Sequence, residues 1–352
     1  MMRKKRAWIV VCVFLLLVIA IVGVVLVRTG FSAAPPAAEK TARHRSVYFG
    51  QYPQSMLKDE ALITKLDALK PKWQSYGYYN GDGTLGSATQ SDYAQYADVV
   101  FEGERYRAVK FSEYRSHHTH GESQVNWQSD RFELNHTYWF KFEPIEWIVL
   151  SEEENLLMSK MLLDSQPINN VIYSKTPERG MESVYFYKDP DFQTFATDYA
   201  SSDIRAWLND DFYKTAFSQE EAQHIVDSRL DNSAWSRRDS EFDSPATADK
   251  VFLLSYEEAK NPAYGFCAQA EKEDDLRMSS GTDYAFAQGL LGVSDAYRDG
   301  NTWWWLRSAS ASKHLNTSVS FYGSIHLTFN LPYAPDCTDS GIRPALRLDH
   351  ID

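Results

Sequence analysis

Ile145-Glu-Trp-Ile-Val-Leu150, the acidic Ser151-Glu-Glu-Glu154 and then Asn155-Leu-Leu-Met-Ser159 decide the fold: two short apolar runs divided by a turn predict a β-hairpin. Working outward, Asp98-Val-Val-Phe101 and the alternating run Arg105 to Phe111 flank Glu102-Gly103 and predict a second hairpin. Downstream, Val251 to Leu254, Trp303 to Arg307, Ser318 to Tyr322, Ile325 to Phe329 and Ile342 to Leu348 are each short, β-branched or aromatic, and bounded by Gly, Pro, Ser or Asp. The last third therefore reads as largely β.

Helices are expected between these groups of strands. Ser202 or Asp203 can cap a helix that places Ile204, Trp207, Leu208 and Phe212 on one face. Ser218-Gln-Glu-Glu221 and Ser255-Tyr-Glu-Glu258 are capping boxes, in which serine and glutamate each satisfy the other's backbone N–H at a helix start. The first opens a helix with Ala222, Ile225 and Val226 inward, and the second helix ends at Asn261-Pro262. Thr282 to Ala287 is a further short candidate, stopped at Gly289.

At the N-terminus, Ala7 to Val27 is a run of 21 residues without a charge, preceded by Arg3, Lys4, Lys5 and Arg6. That length matches one bilayer crossing, and the basic flank predicts a cytoplasmic tail (1–6), a transmembrane helix (7–27), a tether (28–45) and an extracytoplasmic domain (46–352). The expected address is the cell membrane, single-pass, with the N-terminus cytoplasmic and the membrane itself a partner through the helix. Ser32, Ala33, Ala34, Ala37 and Ala38 also permit a cleaved signal peptide, although 21 apolar residues exceed the usual signal core. Cys12 reads as a buried apolar residue of the span.

Beyond Arg28, 31 Lys and Arg stand against 48 Asp and Glu, a formal charge of −17. Such a surface repels nucleic acid, so no nucleic-acid partner is expected, whereas Ca²⁺ is tolerated. Cys267 and Cys337 are too few to frame a fold of this size; one disulfide or two separate thiols both fit the sequence.

Taken in order, Tyr48-Phe-Gly-Gln-Tyr-Pro-Gln54, Pro144-Ile-Glu-Trp147, Ser201-Ser-Asp-Ile-Arg-Ala-Trp-Leu-Asn209, Asp249-Lys-Val-Phe-Leu-Leu-Ser255, Trp304-Trp-Leu-Arg-Ser308 and Gly341-Ile-Arg-Pro-Ala-Leu346 resemble the DUF6273 family. This is a family of bacterial extracytoplasmic domains of unknown function, and the resemblance runs from about Val47 to Leu348. The closing pair of motifs also looks like the C-terminal region of the C-type-lectin-like fold shared by formylglycine-generating enzymes. The resemblance implies an α+β fold, with a mixed or antiparallel C-type-lectin-like β core, short packed helices and an N-terminal elaboration over 56–142.

The ligand-binding candidates are Trp303, Trp304, Trp305, Arg307, Ser308, Arg343, Arg205 and Asn209. Strand alternation turns Trp304 away from Trp303 and Trp305, so at least one flat ring could present a surface to a sugar or a peptide side chain. The competing reading makes the rings core, the arginines internal forks to carboxylates and carbonyls, and the Ser and Asn residues caps. Tyr79-Asn-Gly-Asp-Gly-Thr84 hints at a Ca²⁺ loop but lacks the later acidic ligands and reads as a hairpin turn. His117, His118 and His120 could ligate a transition metal, yet without helical spacing they read as solvated loop residues.

Hydrolase, zinc-protease, P-loop and dinucleotide motifs are absent from the sequence, and no catalytic residue is assigned. The expectation is a membrane-anchored, non-catalytic module for a carbohydrate, cell-wall or protein ligand, with no cofactor beyond Ca²⁺. The alternatives are an enzyme, either a formylglycine-generating-like oxidase or a cell-wall hydrolase, and a structural or sensory ectodomain.

Overall fold

The computed structural model describes residues 44–76, 94–119, 126–170, 172–175, 184–187, 193–292, 300–310, 315–326 and 334–351. Strand β1 (Ser46–Met56) leads into a helix over Glu60–Asp67, followed by β2 (Gln74–Ser75), β3 (Ala94–Phe101), β4 (Glu104–Phe111), β5 (Thr137–Ser151), β6 (Leu156–Ser159) and β7 (Asp164–Ser165). Two small hairpins follow: β8 (Ile172–Lys175) with β9 (Val184–Tyr187), and β10 (Ser228–Leu230) with β11 (Thr247–Asp249). The last strands are β12 (Val251–Phe252), β13 (Trp304–Ala309), β14 (Asn316–Val319), β15 (Ile325–His326), β16 (Gly341–Ile342) and β17 (Ala345–Arg347).

An eight-stranded sheet runs in the order β12-β17-β6-β5-β4-β3-β2, with β1 also paired to β5. A five-stranded sheet runs β15-β14-β13-β16-β7, antiparallel except for the parallel contact of β13 with β16. Both predicted hairpins form. Glu102 and Gly103 have φ of 51° and 86°, the left-handed geometry of a two-residue turn whose twist matches its strands.

Strand β5 explains the layering. Phe140 and Phe142 are buried in its first half, whereas Ile145, Trp147 and Val149 are buried in its second, so the inward parity changes across Glu143-Pro144. Trp139 faces the other side, where Leu66, Ala97, Tyr106 and Ala108 join it under the Glu60–Asp67 helix. Its indole N–H donates to Asp67 Oδ1 at 2.8 Å. The main core lies between the two sheets and includes Trp147 and Met158 from one and Trp305, Val319 and Ile342 from the other.

Ser202 caps the helix Asp203–Trp207 through the N–H of Arg205, and a π turn (Leu208–Phe212) carries the run into Tyr213–Ala216. Ile204, Trp207, Leu208 and Phe212 are buried as their spacing predicts. Both capping boxes close: Ser218 N–H donates to Glu221 at 2.8 Å, and Ser255 N–H to Glu258 at 2.8 Å. Their helices are shorter than expected. Val226 N–H leaves the helix to donate to Arg347 O at 3.0 Å, and the second box opens only a 3-10 turn, Glu258–Lys260.

The α+β class with antiparallel and mixed sheets is therefore found, but the membrane-spanning element is corrected. A crossing needs about 20 apolar residues in one helix. Among the described residues the α-helices run from 4 to 8 residues, and none is long and apolar enough to cross a membrane. Ala7 to Val27, Cys12 and the tether lie outside the described residues. The membrane anchor, the membrane partner and the extracytoplasmic address accordingly carry no weight in the functional reading below.

Candidate metal centre

Of the residues expected to bind a ligand, Trp303, Trp304, Trp305, Arg307, Ser308 and Arg343 are buried, and Arg205 and Asn209 are partly buried. Strand β13 is buried along its whole length because both of its faces are covered, which accounts for consecutive tryptophans without a ligand. Trp304 and Trp305 are fully buried, and their indole N–H groups donate to Arg277 O and Gln166 O, each at 3.0 Å. Trp303 is also buried and packs edge-on against His326.

Arg307 reaches Glu258 with both terminal nitrogens and also donates to Asn232 Oδ1, Leu253 O and Asp231 O. Burial pushes the Glu258 carboxyl up, but the Arg307 charge and hydrogen bond outweigh it and hold the group below its ordinary range. Ser308 Oγ accepts the Tyr256 N–H. Arg343 spends its donors on the carbonyls of Ser159, Lys160, Leu276 and Arg277 beneath the Trp304 ring. Arg205 pairs with Asp249 at 2.7 Å, and Asn209 bridges the backbones of Arg205, Lys250 and Val251. These side chains brace the fold, and the three rings do not form an exposed aromatic surface.

A different group converges. Just past β4, Arg115 is fixed by Gln128 on its N–H at 2.6 Å and by Ser165 O and Gln288 O on its guanidinium at 2.8 and 2.9 Å. The following residues form a short antiparallel ladder with the segment before β16. Thr338 N–H donates to His117 O at 2.9 Å, Thr119 N–H donates to Asp336 O at 3.3 Å, and His118 faces Cys337. The ladder brings His117, His118 and Cys337 together, with one ligand atom of each within 4.8 Å of the others.

The sulfur of Cys337 lies 4.0 Å from His117 Nε2, 3.9 Å from His118 Nε2 and 3.6 Å from His118 Nδ1. The two rings meet edge to face with centroids 4.3 Å apart. Each imidazole also meets a carboxylate at Nδ1: His117 Nδ1 is 2.7 Å from Asp339 Oδ2, and His118 Nδ1, the nitrogen of that ring nearer the sulfur, is 3.1 Å from Asp336 Oδ1. The first contact is close but not aligned as a hydrogen bond, and Asp339 Oδ1 has no hydrogen-bonding partner among the described residues. Trp127 Nε1 donates to Asp339 Oδ2 at 2.9 Å and holds that carboxylate in place.

Electrostatics here are set by burial against nearby charge. Burial, reinforced by Asp339 and Asp336, pushes the Cys337 thiol well above its ordinary pKa. For His117, burial pulls the pKa down, but Asp339 and Asp336 outweigh it and raise the group. Cys337 is completely buried, so the sulfur has no path to a substrate and does not suit a cysteine nucleophile. The imidazoles keep 19% of their side-chain surface exposed, leaving the histidine side of the cluster open.

In the sequence the histidines read as solvated loop residues because they lack helical spacing, and the cysteine that His118 meets lies 219 residues away. The signal that was present is the pattern Asp336-Cys337-Thr338-Asp339, a thiol between two carboxylates, set against an adjacent histidine pair. His120 and the loop Tyr79 to Thr84 lie outside the described residues. Cys267 and Cys337 are not joined to each other, so the disulfide alternative is not realised.

Fold and site together define an α+β domain with two packed sheets and a buried thiol–imidazole–carboxylate cluster. The family model "Domain of unknown function (DUF6273)" matches residues 154–350, more than half of the chain, and the chain belongs to that family. The match is narrower than the span of the six motifs: four of them fall inside it, and Tyr48–Gln54 and Pro144–Trp147 precede it. No curated protein and no solved structure matches the chain. The C-type-lectin-like comparison thus gains no support, and the formylglycine-generating analogy that rested on it is not carried forward.

Proposed function

We propose that this protein is a transition-metal protein of the zinc class, with His117 and His118 binding through Nε2 and Cys337 through its sulfur. The observation that carries the reading is the convergence of these three ligand atoms while each imidazole is backed by a carboxylate at Nδ1. Backing of that kind fixes the ring and raises its basicity at metal sites. With zinc bonds of about 2.3 Å to sulfur and about 2.0 Å to nitrogen, tetrahedral ligand atoms stand roughly 3.5 Å apart. At 4.0 and 3.9 Å the two Nε2 atoms must close by about 0.5 Å, and the His118 ring must turn, because its Nδ1 lies nearer the sulfur at 3.6 Å.

Thiolate and imidazole are soft and borderline ligands, so the centre selects zinc-like ions and rejects Ca²⁺. The described residues supply three ligands, and water in the fourth tetrahedral position would make this a catalytic zinc rather than a closed structural one. The reading is therefore a metal-dependent enzyme that activates water, in place of a non-catalytic aromatic module.

The test is reconstitution of the chelator-stripped chain with Co²⁺ in place of Zn²⁺. Sulfur-to-cobalt charge-transfer bands should appear in the wild type and vanish in Cys337→Ser, while Asp339→Asn should weaken binding by about 10- to 100-fold. Absence of those bands in the folded wild type, or their persistence in Cys337→Ser, would overturn the reading.

A further inference from the structure

A second cluster lies apart from the first and shares no residue with it. His224 ends the helix Glu221–His224, and Asp349 and His350 follow β17 near the C-terminus. Backbone pairing fixes the two segments side by side: Asp349 N–H donates to His224 O at 2.9 Å, Val226 N–H donates to Arg347 O at 3.0 Å, and Ile225 bridges Leu348. The helix stops at His224 because this pairing takes over, and the stop is what places its imidazole over the Asp349 carboxylate.

Both rings aim the same nitrogen at that carboxylate. His350 Nδ1 lies 2.7 Å from Asp349 Oδ1, and His224 Nδ1 lies 3.3 and 3.2 Å from Oδ1 and Oδ2. One ligand atom from each of the three residues lies within 4.8 Å of the others, and the rings stand nearly perpendicular at 81°. We propose that His224, Asp349 and His350 form a second metal site, a surface two-histidine, one-carboxylate site for a borderline divalent transition ion such as Zn²⁺.

Two imidazoles and one carboxylate on one side of an ion leave its remaining positions open. Tetrahedral nitrogen and oxygen ligands of Zn²⁺ stand about 3.3 Å apart; the His224 contacts at 3.2 and 3.3 Å match that edge, and the His350 contact at 2.7 Å must open by about 0.6 Å. An ion would replace the direct contacts between the rings and Asp349. Side-chain exposures of 43, 44 and 57% put the open positions towards solvent, so the ion exchanges readily and binds more weakly than at a buried thiolate. Lacking sulfur, the site differs from the Cys337 centre in ligand class as well as in place.

Zn²⁺ titration by calorimetry, on chelator-stripped protein without a histidine tag, separates the two sites. The wild type should bind two equivalents, His224→Ala/His350→Ala one, Cys337→Ser one, and the triple variant none. Two equivalents in folded His224→Ala/His350→Ala would overturn this site, as would a wild type whose single equivalent is lost only in Cys337→Ser. A single equivalent lost only in His224→Ala/His350→Ala would support this site and overturn the thiolate centre instead. Unchanged near-ultraviolet circular dichroism in the histidine variant excludes unfolding, since both substitutions are at the surface.

Discussion

Tyr52 donates its phenolic hydrogen to Asp164 Oδ2 across 2.7 Å, and the contact joins β1 of the eight-stranded sheet to β7 of the five-stranded one. Both side chains are buried. Asp164 also accepts from Ser165 N–H at 2.7 Å and from Gln166 Nε2 at 2.8 Å. Burial is the larger influence and pushes its pKa up to about 6, against hydrogen bonds that favour the ionised form.

That rise makes the fold pH-dependent in a stated direction. Between about pH 4 and pH 6 the folded chain holds a proton on Asp164 that the unfolded chain has released, so this contribution falls as pH rises. The full span is on the order of 3 kcal/mol. Relative to Asp164→Asn, the wild type should gain stability as pH drops from 7 to 4, as read from denaturant midpoints. A difference between the two that stays constant with pH would refute the assignment.

Arg307 and Glu258 form an ion pair whose arginine is fully buried. Glu258→Ala strands that charge, and the expected loss is about 3–5 kcal/mol of unfolding free energy, because removing one partner leaves a buried ion uncompensated. Arg307→Met combined with Glu258→Leu should be milder than the single change. A single variant losing under about 1 kcal/mol would show that the remaining carbonyl partners suffice.

Trp304→Ala distinguishes core from ligand surface. With the ring fully buried, truncation should lower stability by about 3–5 kcal/mol. Thermal melting checks this directly, since an unshifted transition would mean that the ring is not packed as described.

Two glycines of similar backbone geometry should respond differently to alanine. Gly103 (φ 86°) has open space where a Cβ would sit, so Gly103→Ala carries only the left-handed backbone penalty of about 1 kcal/mol. Gly323 (φ 73°) would drive a Cβ into the backbone carbonyl of Asp274, which cannot move as a side-chain tip can. Gly323→Ala should therefore destabilise the chain clearly more than Gly103→Ala in paired denaturation experiments.

What was legible in the residue order is local. The Ser218/Glu221 and Ser255/Glu258 boxes and the Ser202 cap involve groups three residues apart, and the Glu102-Gly103 turn involves neighbours. Such contacts are fixed by backbone geometry wherever the segment lies, so the α+β class and the family motifs could be read directly. Helix length was not, because pairing of Val226 with Arg347 cut one helix short from more than a hundred positions away.

The sequence by itself determined the caps, the hairpins and the alternation of strands with short helices, because each depends on residues that meet before the chain folds back. Tertiary structure alone decided that Trp304 and Trp305 point into the interior, since a strand's period assigns residues to faces without saying how many faces are covered. It alone brought His117 and His118 to Cys337 and His224 to Asp349 and His350. No local preference encodes these meetings; they follow from sheet order, which pairs segments that the chain keeps far apart.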